Sequence, residues 1–364
     1  MLNSKYKQIF YNGGKIALKS IFSRMANKRI PLFATLYITD ICNQHCTHCG
    51  IHTVNKKIKE FTTQELKNNI DDLCSLGTEW FRLLGGEPLL RPDLKELIDY
   101  ISCTKGKIVE IVTNGINIDK KMEALKNLYF IGISMEGNKE NHDRVRGKDS
   151  FEKAQKAVEL CTKAGKYVRI HMVLNRYNIQ DDNINFMIDF CRTYDVQFDF
   201  CRLMINPFYK SEHIPDYYYI PDDTARMFYQ KMLHRKIKED IPISNSVRSL
   251  KMIVDYPYSH DKYTIYKSEL DAHPQYRIPE CTAGIFTFEL SSDGKLRHCV
   301  NRYDQEIDVR EAGGIKKAWR LLGDKDCHTC AHLSVIEQSL MLTLDPMSAI
   351  NAFKLLTKKR KVIA

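Results

Sequence analysis

An α/β fold on a parallel sheet is the architecture that this 364-residue sequence predicts, and three observations carry it. Strand-like apolar runs recur near 33–38, 80–84, 107–113, 129–135, 167–174 and 196–203. Helix-compatible segments lie between them. Polar and glycine-rich sets follow successive strands, where α/β folds collect their sites. Six such alternations predict a parallel, partly open barrel; periodicity alone leaves barrel and open sheet undecided.

The helices are justified locally. Thr62-x-x-Glu65 reads as a capping box opening a helix over 63–76, and Gly77 closes it. Pro92 suits the first turn of a helix over 92–104. Ser150 caps a predicted helix over 151–164, ended by Gly165. Later, Ser292-Asp293-Gly294 reads as a hairpin turn between 285–290 and 296–300, followed by a helix over 313–322.

With 43% hydrophobic and 27% charged residues, the chain can build a large core, which excludes a disordered tail or a small disulfide scaffold. No apolar run reaches the roughly 18 residues of a membrane span, and no secretory cleavage site follows the basic start. A cytoplasmic location is expected. Charge is uneven: residues 1–39 hold seven Lys/Arg and residues 351–364 hold five, and neither stretch has an acid. The ends thus carry more than the whole net charge of +10, and the middle is slightly acidic. A nucleic-acid enzyme spreads its cations over a binding face, so no nucleic acid is expected. Leu18, Ile21, Phe22 and Met25 fall at helical spacing with Lys15, Lys19 and Arg24 on other faces. Ile350, Phe353, Leu355 and Leu356 precede Lys358-Lys359-Arg360-Lys361. Both ends read as interfacial helices for an anionic membrane surface, which would make the chain peripheral on the inner face of a membrane. The alternative is that the stripes pack on the barrel.

Twelve cysteines without a signal sequence point to metal or catalysis rather than disulfides. Cys42, Cys46 and Cys49 form C-x3-C-x2-C. Three clustered thiolates suit an iron–sulfur cube, and three ligands leave one of its four irons open. Zinc with His45, His48 or His52 as fourth ligand is the alternative. Gly85-Gly86-Glu87-Pro88 then ends the run Trp80–Leu84. Paired glycines bring bare backbone close to a ligand, and the glutamate offers an acceptor for an ammonium group. Val112-Thr113-Asn114-Gly115, Ser134-Met135-Glu136-Gly137 and His142-Asp143-Arg144-Val145-Arg146-Gly147 follow later strands.

In this order the motifs resemble the radical S-adenosylmethionine (SAM) enzymes over roughly residues 33–205. The resemblance implies a partial (β/α)6 TIM-like barrel. It implies a [4Fe–4S] cluster held by Cys42, Cys46 and Cys49, with SAM chelating the open iron. Gly85, Gly86 and Glu87 would line the methionine amino end, Ser134 and Arg146 would meet the carboxylate, and Glu136 or Asn175 the ribose. His48 stands where an aromatic residue is common. The implied activity is reductive cleavage of SAM to a 5′-deoxyadenosyl radical that abstracts hydrogen from an unactivated C–H bond, with an electron donor such as flavodoxin or ferredoxin.

Cys281-x12-Gly294-x4-Cys299 and Cys327-x2-Cys330 form a second set that suits either zinc or iron–sulfur. Beside the first motif it resembles the SPASM and twitch extensions of the same superfamily. That implies a small α+β C-terminal auxiliary domain with one [4Fe–4S] cluster on Cys281, Cys299, Cys327 and Cys330. Fully ligated, it would move electrons, as in an oxidoreductase. No cysteine follows Cys330 to hold a further cluster, as in the twitch type. His298, His328 and His332 are the alternative ligands and read as solvent-facing or beyond the ligand shell. Cys74, Cys103 and Cys161 read as core filler. Cys191 lies on a helix, and Cys201 lies on the sixth strand, where an inward thiol could donate a hydrogen atom.

The expected organisation is a basic amphipathic segment (1–32), a radical SAM core (33–215), connecting helices with the auxiliary domain (216–335), and a basic amphipathic tail (336–364). Forty-one residues precede Cys42, fewer than a leader-recognition or cobalamin domain needs. A small or lipid-like substrate is therefore expected. The alternative is a peptide- or protein-modifying maturase without its own leader-recognition domain. Phe208-Tyr209 and Tyr217-Tyr218-Tyr219 line either a substrate mouth or a domain contact.

Overall fold

In the computed structural model, residues 4–52, 59–128, 130–203, 214–262, 264–276 and 278–357 are described. After α1 (Ser4–Met25), strands and helices alternate: β1 (Phe33–Tyr37), α2 (Thr63–Leu76), β2 (Trp80–Leu84), α3 (Leu94–Asp99), β3 (Ile108–Thr113), α4 (Ile118–Lys121), β4 (Phe130–Ser134), α5 (Lys139–Arg146), α6 (Ser150–Lys163), β5 (Tyr167–Leu174), α7 (Asp181–Thr193) and β6 (Gln197–Arg202). The six strands pair in parallel and in chain order, and β6 does not return to β1. The barrel is therefore partial.

Helices α8 (Asp222–Glu239), α9 (Val247–Val254) and α10 (Lys267–Asp271) come next. Then β7 (Thr287–Leu290) pairs in parallel with β1, and β8 (Lys295–Arg297) and β9 (Glu306–Asp308) continue antiparallel. The C-terminal region thus extends the barrel sheet to nine strands, and the 33–215 and 216–335 units share it. A bare β1 edge would expose unpaired backbone groups, and β7 covers it. After α11 (Ile315–Leu322), α12 (Leu333–Leu342) packs on β6. Its Ser339 Oγ accepts from Thr282 N at 3.1 Å, just ahead of β7, so α12 bridges the open side. Buried Leu333, Ile336 and Leu340, and Glu337 accepting from Ser246 N at 2.8 Å, set α12 within the body; residues 336–342 are no tail. Helix α13 (Pro346–Thr357) follows.

The local signals mostly fold as read. Thr62 and Glu65 form the capping box of α2, and Gly77 closes it at φ +118°. The expected 92–104 helix starts later and changes pitch: α3 begins at Leu94 and runs into a π turn over Tyr100–Thr104, so Pro92 precedes the helix. Ser150 is the first residue of α6 rather than its cap. Asp143 of α5 takes that role, accepting from Phe151 N at 2.9 Å. Cys161 and Cys191 are buried, Cys74 and Cys201 are half-buried, and Cys103 is exposed, because it sits on the π turn facing outward.

Period-2 alternation splits each strand. Outward side chains such as Phe81, Ile111, Ile133, Ile170 and Phe198 are fully buried in the core shared with the helices. The inward side chains carry charge, described below. At the N-terminal mouth, Trp80, Ile108, Phe130 and Tyr167 form an aromatic floor capped by Ile9 of α1. Asn12 Nδ2 donates to Gly106 O at 2.9 Å, and Lys19 Nζ to Gly77 O at 2.9 Å. Helix α1 thus seals the end of the barrel opposite the strand C-termini.

Candidate metal and cofactor site

The site grows from the end of β2. Gly86 N donates to Thr39 O at 2.6 Å and Glu87 N to Ile41 O at 2.7 Å. A Cβ on Gly85 would collide with Thr39 O, and one on Gly86 with Ile41 O. The paired glycines are needed because this turn presses against the chain entering the cysteine loop. Glu87 is 1% exposed. Its carboxylate accepts from Leu89 N at 3.0 Å, Thr113 Oγ at 2.6 Å and Asn114 N at 2.8 Å, tying the end of β2 to the end of β3. Burial pushes the Glu87 carboxyl up against those bonds.

The cysteine loop is held from several sides. Asn114 Nδ2 donates to Asn43 Oδ1 at 2.9 Å. Glu60 Oε1 accepts from Asp40 N at 2.7 Å. Thr47 N donates to Val145 O at 3.0 Å. Thr47 Oγ meets Tyr217 OH at 2.8 Å, and His48 Nδ1 meets Tyr218 OH at 2.9 Å. Tyr217 and Tyr218 therefore serve the loop; Phe208 and Tyr209 lie outside the described residues. The C-terminal hairpin reaches the same loop, since Ser292 Oγ donates to Asp40 Oδ1 at 2.6 Å. His48 is pushed down to about 3, first by burial and then by Arg146, and is neutral there.

Burial raises the thiols of Cys42, Cys46 and Cys49, Cys46 to about 11. Cys46 and Cys49 lie close enough for their charges to repel, and Arg146 opposes this at Cys46. Arg146 Nη1 is 3.7 Å from Cys46 Sγ. Its Nε and Nη2 donate to Glu136 Oε1 at 2.9 and 2.7 Å. Glu136 Oε2 accepts from Val173 N at 2.8 Å, so this fully buried carboxylate is satisfied by protein. Asn175 Oδ1 likewise closes a local turn, accepting from Tyr177 N at 3.0 Å and Asn178 N at 3.1 Å, which leaves its amide nitrogen. Ser134 ends β4 beside His171.

Three thiols on one loop, with no carboxylate among them, form a donor set that fits an iron–sulfur cube with an open iron. The second set also converges. Cys281 N donates to His328 O at 2.8 Å. Arg302 N donates to Cys299 O at 3.0 Å, while its guanidinium pairs with Asp304 and Asp326, bracing the Cys299 and Cys327 loops. Burial raises the Cys299 and Cys330 thiols, and the charge of Cys281 raises both further. Cys327 adds to the rise at Cys330. Cys281 and Cys330 are buried and Cys299 and Cys327 half-buried, an all-thiol donor set that suits iron–sulfur or zinc. His298 is not solvent-facing: it is 1% exposed and its Nε2 meets Gly323 O at 3.1 Å. His328 and His332 are half-buried, and the side chain of His52 lies outside the described residues.

Sequence reading missed the inner face of the barrel. Arg82 pairs with Glu110. Asp199 Oδ1 meets His171 Nδ1 at 2.7 Å, and Arg169 lies 3.8 Å from Asp199. A Cβ on Gly132 would strike the His171 ring. A narrow cavity is lined by Glu110, Gly132, Arg169 and His171. The signal was present, since these charges interrupt apolar strands at every second position.

Residues 36–187 match the family model described as Radical SAM superfamily. Fe-coproporphyrin III synthase of Methanosarcina barkeri is 36% identical over 149 residues, 40% of this chain and 37% of that protein. The antilisterial bacteriocin subtilosin biosynthesis protein AlbA of Bacillus subtilis is 31% identical over 192 residues, 50% of this chain and 43% of that protein. The chain thus spans about two-fifths of the length of these relatives. Streptococcus suis SuiB, solved bound to its precursor peptide SuiA, shares the fold with a TM-score of 0.57 at 17% identity, covering 97% of this chain and 73% of that one.

Proposed function

We propose, from the premise that this chain is a radical SAM enzyme, that it acts on a polar, peptide-like substrate at the C-terminal mouth of the barrel. Cys42, Cys46 and Cys49 would hold the [4Fe–4S] cluster, and the Gly85-Gly86 turn, packed on Thr39 and Ile41, would set the cysteine loop beside the methionine end of SAM. When bound, cluster and SAM supply a 5′-deoxyadenosyl radical able to take hydrogen from an unactivated C–H bond. Arg146 sets a fixed positive charge beside Cys46, and Glu136 holds Arg146 in place. Ser134 and the Asn175 amide are the groups left to meet the carboxylate and ribose of SAM. Cys281, Cys299, Cys327 and Cys330 would hold an auxiliary cluster, which would supply electron-transfer capacity, and the Ser292–Asp40 bond couples the two loops mechanically.

The observation that carries the substrate class is the charged inner face: Arg82, Glu110, Arg169, His171 and Asp199 line the barrel where a lipid tail would need apolar walls. Bound precursor peptide in SuiB and the bacteriocin product named for AlbA support the same reading. It favours the maturase alternative over a lipid-like substrate. The test is anaerobic: protein reconstituted with iron and sulfide, given SAM and dithionite, is assayed for 5′-deoxyadenosine with added peptide fractions or lipid extracts. Stimulation by peptide supports the reading. Stimulation by lipid alone overturns it.

A further inference from the structure

Helix α1 has two apolar faces. One carries Ile9 and Ile16 against the barrel floor and the base of β1 and β7. The other carries Tyr11, Leu18, Phe22 and Met25, 65%, 70%, 57% and 84% exposed, with half-exposed Ile21 beside them. These residues recur at the spacing that lines one helical stripe, and the stripe faces away from the barrel. The packing of α1 does not need them. Lys19 is anchored to Glu79, Ser20 Oγ donates to Leu342 O, and Asn12 donates to Gly106 O. Those contacts bolt the helix down and hold the second face outward.

Helix α13 continues the surface. The Phe10 and Phe353 rings approach to 6.0 Å, and Met347, Ile350 and Phe353 are 50–58% exposed. Eight of the sixteen large apolar side chains exposed among the described residues lie on these two helices. Scattered single apolar residues are ordinary, but a contiguous patch marks an interaction surface. The two helices themselves carry cations and no acid, with Asp345 capping the start of α13. Residues 1–39 and 346–364 hold Lys and Arg but no acid. Lys15 sits within the stripe over the Tyr11 ring at 4.2 Å, and Lys354 is exposed on α13. A protein partner or second copy would need its own acidic surface to match this; an anionic bilayer offers both the charge and the apolar depth.

We infer that the outer face of α1, with α13, docks on an anionic membrane surface. Because α1 seals the N-terminal mouth, the cysteine loop at the strand C-termini points away from the bilayer. Docking therefore tethers the enzyme and leaves its mouth open to the aqueous side. This inference is independent of the proposed substrate class.

The test uses the full chain and sedimentation with extruded vesicles, either 3:1 phosphatidylcholine:phosphatidylglycerol or phosphatidylcholine alone. The wild type is expected to co-sediment with the anionic vesicles at low salt and to be released as salt is raised. The variant L18E/F22E/M25E is expected to lose about tenfold or more of this binding. Its 5′-deoxyadenosine formation and iron content should match the wild type, which shows that it folds. No wild-type binding, equal binding to neutral vesicles, or undiminished binding of a folded variant would overturn the inference. A wild-type dimer that the same substitutions make monomeric, without vesicle binding, would assign the face to a second copy and overturn it too.

Discussion

Arg146 and Glu136 form a buried ion pair whose two hydrogen bonds, 2.9 and 2.7 Å, leave the third guanidinium nitrogen 3.7 Å from Cys46 Sγ. The arginine reaches the cysteine loop from the end of α5, and the glutamate fixes it from the end of β4. Removing one partner of a buried pair leaves an uncompensated charge and typically costs about 3–5 kcal/mol. Glu136→Ala should therefore lower the denaturant midpoint strongly and slow 5′-deoxyadenosine formation, while Glu136→Gln, which keeps an acceptor, should do less of both. Equal midpoints for wild type and Glu136→Ala would show that the pair does not hold the loop.

Gly86→Ala forces a methyl group into Ile41 O, one residue before Cys42. Overpacking at such a contact costs about 1–3 kcal/mol. The expected outcome is a reduced iron content after reconstitution, because relief of the clash moves the cysteine loop. A variant with full iron and full activity would show that the turn can yield.

The two cysteine sets should separate by iron analysis. The wild type is expected to hold about eight irons per chain, as two four-iron clusters. Replacing Cys42, Cys46 and Cys49 with Ala should leave about four and abolish 5′-deoxyadenosine. Cys299→Ser should also drop toward about four irons yet retain SAM cleavage, with substrate turnover lost. Zinc in place of the missing iron would argue against the second cluster.

Arg91 braces the chain on both sides of the cysteine loop: it pairs with Asp93, bonds Ile38 O, and donates to Phe61 O at 2.9 Å. Burial raises the Asp93 carboxyl, but bonds from Arg91 and Thr63 outweigh it, so it lies below its ordinary value. A depressed carboxyl stabilises the fold above the unfolded pKa near about 4 and loses that contribution as pH falls through the folded value. Asp93→Asn should therefore cost about 1–2 kcal/mol at pH 7 and progressively less toward pH 3. Urea melts at the two pH values measure this; a cost that does not shrink in acid would assign it to packing.

Much of the fold was legible because its signals are local. The capping box at Thr62 and Glu65, the left-handed Gly77, and the apolar runs of β2, β3 and β5 depend on near neighbours. The misses have non-local causes. Asp143, on the preceding helix, caps α6 and displaces Ser150 from that role. Tyr217 and Tyr218 sit 170 residues from the loop they anchor, so nothing near Thr47 and His48 announces them. His298, expected to face solvent or lie beyond the ligand shell, is buried against Gly323 O, 25 residues further along the chain.

By itself, the sequence determined the β–α alternation, both cysteine sets and the glycine turn, since each is a pattern of residue type at fixed spacing. Only the tertiary structure decided which apolar face of α1 is buried. A helix with two such faces has no preferred side until the barrel floor of Trp80, Phe130 and Tyr167 offers one of them a partner. The same holds for the charged inner face. Alternation along a strand says that two faces differ, but the packing of helices on the apolar one is what turns Arg82, Arg169 and Asp199 inward.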